Sequence, residues 1–210
     1  MSTFTKEFQD ELYNLMKWRR DVRHFKPDPI PTDILLKCMD SFKLAPSVGL
    51  SEPWRVVRLT SADARRNALE NFKTANSDAL AGYSGESAKA YAGLKLSGMV
   101  DAPEQIAIFC DEETAKGQGL GVQTMPEMRR YSVVTAIMAF WLALRAHDLG
   151  LGWVSILDPK RLHHDLNVPE SWNLVAYLCI GWPNQDTTTP ELETSGWETR
   201  QSELSQWVER

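Results

Sequence analysis

The chain has 210 residues and a formal net charge of −5 at pH 7, with 43% hydrophobic and 24% charged residues. This composition is that of a folded globular protein and excludes an intrinsically disordered chain. The acidic balance and the lack of a long basic stripe argue against a nucleic-acid partner.

The first predicted element is an amphipathic helix that begins at Thr5 and ends near Trp18, because apolar residues recur at every third or fourth position. Three prolines within 27–31 then predict an extended connection. Thr32 is predicted to cap a second helix. The turn-forming residues of APSVGLSEP (45–53) predict a loop.

Short runs of β-branched and aromatic residues predict four strands, at 54–60, 105–110, 153–157 and 174–182. Helices are predicted between and beside them, around 63–72, 86–97, 126–149 and 159–166. The long third helix of this set is expected to hold Pro126 in its first turn and to end at a Gly150 cap. The alternation predicts an α+β fold in one domain spanning 1–210, with a tail from about 185 that is too polar to form its own core.

The most apolar stretch is YSVVTAIMAFWLALRA, residues 131–146, which falls short of the roughly 20 residues of a membrane span. A helix that is apolar on nearly every side is instead expected in the core or in a subunit interface. The acidic start MSTFTKEFQDEL has no apolar signal core, and the three cysteines form no CxxC pair. These features predict buried reduced thiols, a cytoplasmic location and no membrane association.

Residues 17–26, KWRRDVRHFK, form the strongest candidate for a binding site and are called the basic segment below. Five Lys or Arg and one aspartate, Asp21, give this segment a net charge of +4 in an acidic chain. Planar guanidinium groups fit the oxygens of phosphates and carboxylates, so the segment predicts an anion site. A solvated basic face that makes surface ion pairs is the alternative.

Two serines mark further candidate stretches. Ser47 lies among small residues in APSVGLSEPWR (45–55), where the backbone can approach a flat ligand. Ser155 lies inside the predicted strand of GLGWVSILDP (150–159). The alternatives are a plain surface loop for Ser47 and, for Ser155, a buried hydroxyl that bonds to the backbone.

Neither the glycine-rich segment nor the histidines predict a further site. In KGQGLGVQ (116–123), Val122 occupies the place of the third glycine of a dinucleotide fingerprint, so a mobile loop is expected. His163 and His164 are adjacent and would point about 100° apart on a helix, so they cannot share one metal ion. No metal site is predicted.

Taken together, these stretches resemble the flavin-dependent nitroreductase superfamily and, more closely, its cobalamin-pathway branch, the 5,6-dimethylbenzimidazole synthases. The resemblance covers nearly the whole chain and is carried by RRDVRHF, APSVGLSEPWR, YAGLKLSGM, TMPEMRRYS and LRAHDLGLGWVSILDP. It implies a nitroreductase-like fold with a mixed central sheet flanked by helices. It also implies a homodimer that holds FMN at the subunit interface.

The same resemblance implies that reduced FMN is a substrate rather than a recycled cofactor. A separate flavin reductase would supply it, and molecular oxygen would be the co-substrate. The products would be 5,6-dimethylbenzimidazole, which is the lower ligand of vitamin B12, and erythrose 4-phosphate.

The resemblance also assigns roles to individual residues. Asp21 and Ser155 match the catalytic pair, and Arg19, Arg20 and Arg23 match the ligands of the flavin phosphate and ring. The FMN-binding positions are Arg19, Arg20, Asp21, Val22, Arg23, Ser47, Leu96 and Ser155.

Asp21 is expected to accept a proton from a carbon of the ribityl chain, with the surrounding cations favouring its ionised form. A structural carboxylate that orients the arginines is the alternative. One departure from the superfamily is Glu52, which stands where Gln or Asn is usual. A carboxylate can donate a hydrogen bond only when it is protonated, so Glu52 is not counted among the site residues.

Two other functions fit the same fold and ligand. An NAD(P)H-dependent FMN nitroreductase or flavin reductase would recycle the flavin, and a non-catalytic flavin-binding protein would only hold it. Ordinary nitroreductases commonly have a serine at the position of Asp21, so this residue and the WVSILDP stretch favour the fragmentation reaction over the reductase. The flavin-binding protein stays open, because an anion site alone would suffice for it.

Overall fold

The computed structural model describes residues 3–94, 97–201, 207 and 209. The helices are α1 (Lys6–Trp18), α2 (Thr32–Met39), α3 (Ala62–Ala81), α4 (Gly85–Gly93), α5 (Gly98–Asp101), α6 (Met128–Ala146), α7 (Pro159–Asp165) and α8 (Glu191–Thr194). Short 3-10 turns cover Asp40–Leu44 and Val48–Leu50. The strands are β1 (Phe25–Lys26), β2 (Trp54–Arg58), β3 (Glu104–Asp111), β4 (Gly150–Val154) and β5 (Trp172–Pro183).

The sheet is organised around its longest strand, β5. One edge of β5 pairs with β3, which in turn pairs with β2, and the other edge pairs with β4 and β1. All of these named pairs are antiparallel. An isolated parallel bridge outside these strands joins Asp21 to Leu151 where the basic segment meets β4, so the mixed character expected of the sheet is limited to this bridge.

Both faces of the sheet are buried. Along β3, Ile106 and Ile108 face a cluster that includes the buried side of α6, while Ala107 and Phe109 face a second cluster on the opposite side. This alternation follows from the two-residue period of a strand. The sheet is therefore a middle layer, with α6 and α2 on one face and α3 and α7 on the other.

Several sequence predictions are confirmed. The first helix ends at Trp18, and the Thr5 hydroxyl accepts a hydrogen bond of 3.2 Å from the Phe8 N–H, which caps the first turn. Each predicted strand region contains a strand, and all three cysteines are buried and free. The cap of α2 was assigned wrongly, since Pro31 takes that position and Thr32 is the first helical residue.

The ends of α6 differ from the prediction. The helix begins at Met128, so Pro126 lies in the preceding turn rather than in the helix. Gly150 is not the C-terminal cap, because the left-handed residue after α6 is Asp148, with φ 59°. Gly150 instead begins β4, where an added Cβ would lie 2.7 Å from Val22 Cγ2. The glycine is needed for close packing, not for a helix end.

The strand predicted at 153–157 lies three residues earlier, at 150–154, and leaves Ser155 outside the sheet and exposed. The chain has to leave the sheet here because Asp158 caps α7, accepting N–H groups of Lys160 and Arg161. The Asp158 N–H also donates 2.7 Å to the buried Asn71 side chain. The mid-strand position expected for Ser155 is therefore wrong, and so is the alternative of a buried hydroxyl.

Two helical predictions change in extent. The helix expected at 63–72 continues to Ala81, and the one expected at 86–97 corresponds to α4, which ends at Gly93. The apolar α6 is buried along one side only, since Val134 and Met138 stay 41% and 39% exposed on the other. Among the described residues, no helix is both long and apolar enough to cross a bilayer.

The close contact between β4 and the basic segment predicts a strong effect of Gly152→Ala. An added Cβ would overlap the carbonyl oxygen of Val22, and backbone cannot move aside cheaply. We expect a loss of about 1–3 kcal/mol in the free energy of unfolding, measured by urea titration. Gly93→Ala is the control, since nothing lies within 4 Å of its added Cβ, and it should not destabilise. Equal stability of the two variants would contradict this packing.

Candidate functional site

The basic segment is fixed to the sheet through its backbone. After α1 ends, the chain turns to an extended conformation at Arg19, with φ −69° and ψ 115°. The Val22 N–H then donates 3.0 Å to the carbonyl of Leu151 in β4. Gly152 has no side chain, and this lets the Val22 carbonyl lie against β4. The sequence folds this way because two glycines in β4 leave room for a neighbouring chain.

The three arginines of this segment have donors that nothing in the described part of the chain satisfies. The Arg19 guanidinium lies 4.5 Å from the centre of the Trp141 ring, and Arg20 donates to the Lys17 carbonyl. Arg19 Nε, Arg20 Nε and Arg23 Nη1 are nevertheless buried without a hydrogen-bond partner there. A buried donor without a partner is costly, so this set of atoms fits an anionic ligand such as a phosphate.

The electrostatics of the arginines agree with that interpretation. Burial lowers the pKa of Arg19, with Asp21 opposing this effect and Arg200 adding to it. Burial and the neighbouring Arg19 and Arg200 also lower the pKa of Arg20. These cations repel one another and have lost water, and an anion that reached them would relieve both penalties.

Two of the cavities that border the basic segment are lined by both Arg19 and Arg20. The larger, of about 510 Å³, is lined by all five residues from Arg19 to Arg23 together with Trp18 and Trp141. The smaller, of about 120 Å³, is lined by Arg19, Arg20, Asp21 and Arg23 together with Arg200 and Glu191. The side chains of residues 19–23 thus meet around these cavities, which is consistent with the predicted site. Of the two cavities, Val22 lines the larger.

Sequence reasoning missed Trp141, Glu191 and Arg200. The last two belong to the tail from about 185, which the sequence predicts to be too polar to form its own core. Its described part packs against the body of the protein, since Trp197 lies 5.9 Å from the Tyr83 ring. A single charged residue in a polar tail carries no spacing signal, so only the folded chain brings these groups to the arginines.

Asp21 lies at the centre of this arrangement. Its Oδ1 accepts a 2.9 Å hydrogen bond from the Trp153 N–H, and its Oδ2 lies 3.7 Å from Arg23 Nε. The side chain is 41% exposed, but it lines both cavities, so that surface opens into the site. The carboxyl is held in one place while a ligand can still reach it.

The neighbouring arginines favour the ionised form of Asp21, as expected, but burial outweighs them and the net shift of its pKa is upward. Burial raises the pKa of this carboxyl, and the Trp153 N–H, Arg23 and Arg19 lower it without cancelling the effect of burial. Glu191, a second carboxylate, adds to the rise. Asp21 therefore binds a proton more readily than an ordinary aspartate, which is what a general base needs.

Ser47 is not brought to the basic segment within one chain. Its loop packs beside the first half of α6, where the Val48 N–H donates 3.0 Å to Ser132 and Thr135 donates 3.1 Å to the Pro46 carbonyl. Trp141, which contacts Arg19, lies nine residues further along α6 than Ser132, or about 13 Å along the axis. Ser47 lines neither of the two cavities.

Two other predicted positions stay apart from the cavities. Ser155 lies just beyond the end of β4, two residues after the Trp153 whose N–H holds Asp21, and its side chain is exposed. Leu96 lies outside the described residues. The roles expected for these two residues remain predictions.

Glu52, the departure from the family pattern, pairs with Lys116 of the glycine-rich loop. The two loops also touch through their backbones, since a Cβ added at Gly49 would lie 2.9 Å from the Gly117 carbonyl oxygen. The Glu52 carboxylate is thus already engaged in an ion pair with Lys116. The mobility expected of the 116–123 loop remains a prediction.

The two adjacent histidines, His163 and His164, lie in different surroundings. His163 Nε2 lies 2.8 Å from the Pro169 carbonyl, and His164 is exposed. In the part of the chain that the structure describes, no three His, Cys, Asp or Glu side chains are grouped to hold a metal ion.

Comparison with known proteins gives consistent results. The Nitroreductase family model matches residues 16–182. A 5,6-dimethylbenzimidazole synthase of Rhodospirillum rubrum is 51% identical over 94% of this chain and 93% of its own length. One of Rhodobacter capsulatus is 46% identical, over 93% of this chain and 94% of its own length.

Solved structures agree on the fold. Oxidised iodotyrosine deiodinase, crystallised with FMN and 3-iodo-L-tyrosine, has a TM-score of 0.76 at 19% identity and covers 95% of this chain and 100% of its own. A nitroreductase-like protein of Streptococcus mutans has a TM-score of 0.71 at 18% identity, covering 96% and 100%. The fold expected from the sequence is therefore confirmed.

The raised pKa of Asp21 predicts a pH-dependent effect of Asp21→Asn on stability. An acid whose folded pKa lies above its ordinary value costs stability once it ionises, and the cost disappears as the pH falls below about 4. Without ligand, the variant should melt at a higher temperature than the wild type at pH 7 to 8. The difference should shrink towards pH 4. The exposed Asp28→Asn is the control and should change nothing, whereas an Asp21→Asn protein less stable at pH 8 than at pH 4, relative to wild type, would contradict the sign.

Proposed function

The chain belongs to the nitroreductase family, and we propose that within it this protein fragments reduced FMN in an oxygen-dependent reaction, as the name of its 5,6-dimethylbenzimidazole synthase relatives indicates. The products are 5,6-dimethylbenzimidazole and erythrose 4-phosphate. The observation that carries this proposal is Asp21, a carboxyl with raised proton affinity fixed among three arginines whose buried donors have no partner in the described chain.

The arginines hold the phosphate end of the substrate. Arg19, Arg20 and Arg23 present N–H groups that cannot reach water, and Arg200 adds a fourth cation at the smaller cavity. Hydrogen bonds to a charged group are stronger than those between neutral groups, which is how the site prefers FMN to an uncharged flavin.

Asp21 acts as the general base. The reactivity towards oxygen belongs to the reduced flavin. The protein contributes a positioned proton acceptor beside the ribityl chain. Trp153 fixes Oδ1, which leaves Oδ2 free on the side of Arg23 and the cavities. A base works best when its pKa approaches the working pH, and burial moves Asp21 in that direction.

Ser155 is the second catalytic residue of the proposal. It follows Trp153 by two residues, so a hydroxyl on this turn can approach the substrate from the β4 side of Asp21. Ser47 and Leu96 complete the flavin site. The enzyme works in the cytoplasm, where a separate flavin reductase delivers reduced FMN and oxygen is the second substrate.

The separation of Ser47 from the arginines supports a homodimer. One side of α6 exposes Tyr131, Val134 and Met138 at spacings of three and four residues, and the Ser47 loop lies beside the same helix. A second chain that covered this apolar face would bring its arginines towards Ser47 of the first. Sedimentation at micromolar concentration should give about twice the chain mass of 23.8 kDa. A monomer that binds FMN tightly would contradict a site built between subunits.

Phosphate recognition predicts that Arg23→Ala weakens FMN binding. The expected loss is about 1.5–3 kcal/mol, the range for a hydrogen bond to a charged group. Titration calorimetry with FMN and with riboflavin, which lacks the phosphate, measures it. The control is Arg66→Ala on the exposed face of α3, which should bind both flavins normally. Equal losses for FMN and riboflavin would show that Arg23 does not bind the phosphate.

The reaction is tested by mixing the protein with reduced FMN, admitting oxygen and separating the products by chromatography. Wild-type protein should consume the flavin and release 5,6-dimethylbenzimidazole. Asp21→Asn should still bind reduced FMN, but the ratio of benzimidazole to reoxidised flavin should fall by about 10²–10⁴-fold, the usual contribution of a positioned base. Complete return of FMN from the wild type would overturn the proposed reaction. A wild-type ratio from Asp21→Asn would remove Asp21 from the chemistry.

A further inference from the structure

The site contains a second carboxylate that the proposed mechanism does not use. Five residues line both cavities beside the basic segment: Arg19, Arg20, Asp21, Arg23 and Glu191. Glu191 begins α8, 170 positions away from Asp21 in the sequence, and the fold brings the two to the same walls. An acidic residue in a site built for a phosphate weakens anion binding, so its placement calls for another role.

Glu191 also faces a histidine that belongs to the basic segment. His24 Nε2 lies 3.8 Å from Glu191 Oε1, and His24 Nδ1 lies 3.0 Å from the Ser97 hydroxyl. Ser97 donates 3.3 Å to the Arg23 carbonyl, so its lone pairs face the imidazole and Nδ1 carries the proton. The ring is therefore oriented with its other nitrogen towards the Glu191 carboxylate.

We infer that Glu191 and His24 together act as positioning residues that control the ionisation of Asp21, Glu191 by repelling its negative charge and His24 by neutralising Glu191 when protonated. The inference rests on the proposed role of Asp21 as the base.

The charges around Asp21 make this a balance of several groups. Arg19 and Arg23 face it from its own segment, Glu191 from α8, Arg200 from the C-terminal segment and the Cys179 thiol from β5. Arg145 of α6 and Asp186 also line the larger cavity, where they pair with each other at 2.8 Å. Glu191 raises the pKa of Asp21 more than Arg19 lowers it, although Arg19 is only two positions away. Glu191 is thus the strongest side-chain charge acting against the ionised form of Asp21.

The test is the pH profile of fragmentation in a single turnover, measured as the fraction of reduced FMN converted to 5,6-dimethylbenzimidazole between pH 5 and 9. Glu191→Gln should move the acidic limb to lower pH by about 0.5–1 unit, the effect of one partly screened charge at several ångströms. His24→Gln should move the limb to higher pH, because it leaves Glu191 without its partner. Both shifts should shrink in about 1 M salt, where charges are screened within a few ångströms.

Glu193→Gln, on the same helix but outside both cavities, is the matched control and should follow the wild-type profile. A loss of structure would lower the conversion at every pH without moving the limb. Superimposable profiles of Glu191→Gln and wild type, or shifts in the same direction for Glu191→Gln and His24→Gln, would overturn the inference.

A second readout separates this inference from the proposed reaction. Titration of the Asp21 carboxyl by ¹³C NMR in the flavin-free protein, identified by its loss in Asp21→Asn, should show the same opposite shifts. If the wild type returns all of its flavin, the reaction is wrong, and the NMR shifts alone decide whether Glu191 and His24 control Asp21. If the wild type fragments flavin but neither readout shifts, only the inference fails.

Discussion

The site depends on one backbone contact, the pairing of Asp21 and Val22 with β4. The Val22 N–H bonds to Leu151, and Gly152 leaves the space that the Val22 carbonyl needs. This pairing turns a run of charged residues, which would otherwise be solvated, against the body of the protein. It also carries Asp21 to the Trp153 N–H, which fixes the carboxyl. The chemistry proposed for the site depends on charged side chains that are held where water cannot fully reach them.

Arginines elsewhere in the chain show why those of the site are unusual. Arg58 bonds to both oxygens of Glu104, at 2.7 and 2.5 Å, and this hydrogen bonding raises its pKa. Within the described part of the chain, the buried Nε groups of Arg19 and Arg20 have no such partners, and burial lowers the pKa of both arginines. Arg58 is a completed structural pair, whereas the site arginines carry unused binding capacity. The carboxylate inside the basic segment does not cancel them, because it bonds mainly to a backbone N–H.

The sequence identified features that depend on neighbours along the chain. The start of α1 beside Thr5 and its end at Trp18 are local patterns, and the structure confirms them. The concentration of cations at 17–26 is also a local pattern, and it lies where a site can form. The sequence could not identify features that depend on contacts between residues far apart in the chain. A glycine is needed at position 150 because Val22 packs against it, not because it ends α6. The left-handed residue after α6 is Asp148, which takes the place of the expected glycine cap.

The sign of the Asp21 shift could not be predicted for the same reason. The number of neighbouring cations is visible in the sequence, but burial and the approach of Glu191 are properties of the folded chain. Arg200 likewise reaches the arginines only through the packing of the tail. Sequence patterns thus pointed to the arginines and the carboxylate that the fold brings together, while the balance of charges among them required the structure.

The most direct test of this account is a crystal structure of the protein with FMN. The account predicts phosphate oxygens within hydrogen-bond distance of Arg19 Nε, Arg20 Nε or Arg23 Nη1, the ribityl chain beside the Asp21 carboxyl, and Ser47 of a second chain near the flavin ring. FMN bound at another surface, with those three N–H groups still without partners, would contradict it.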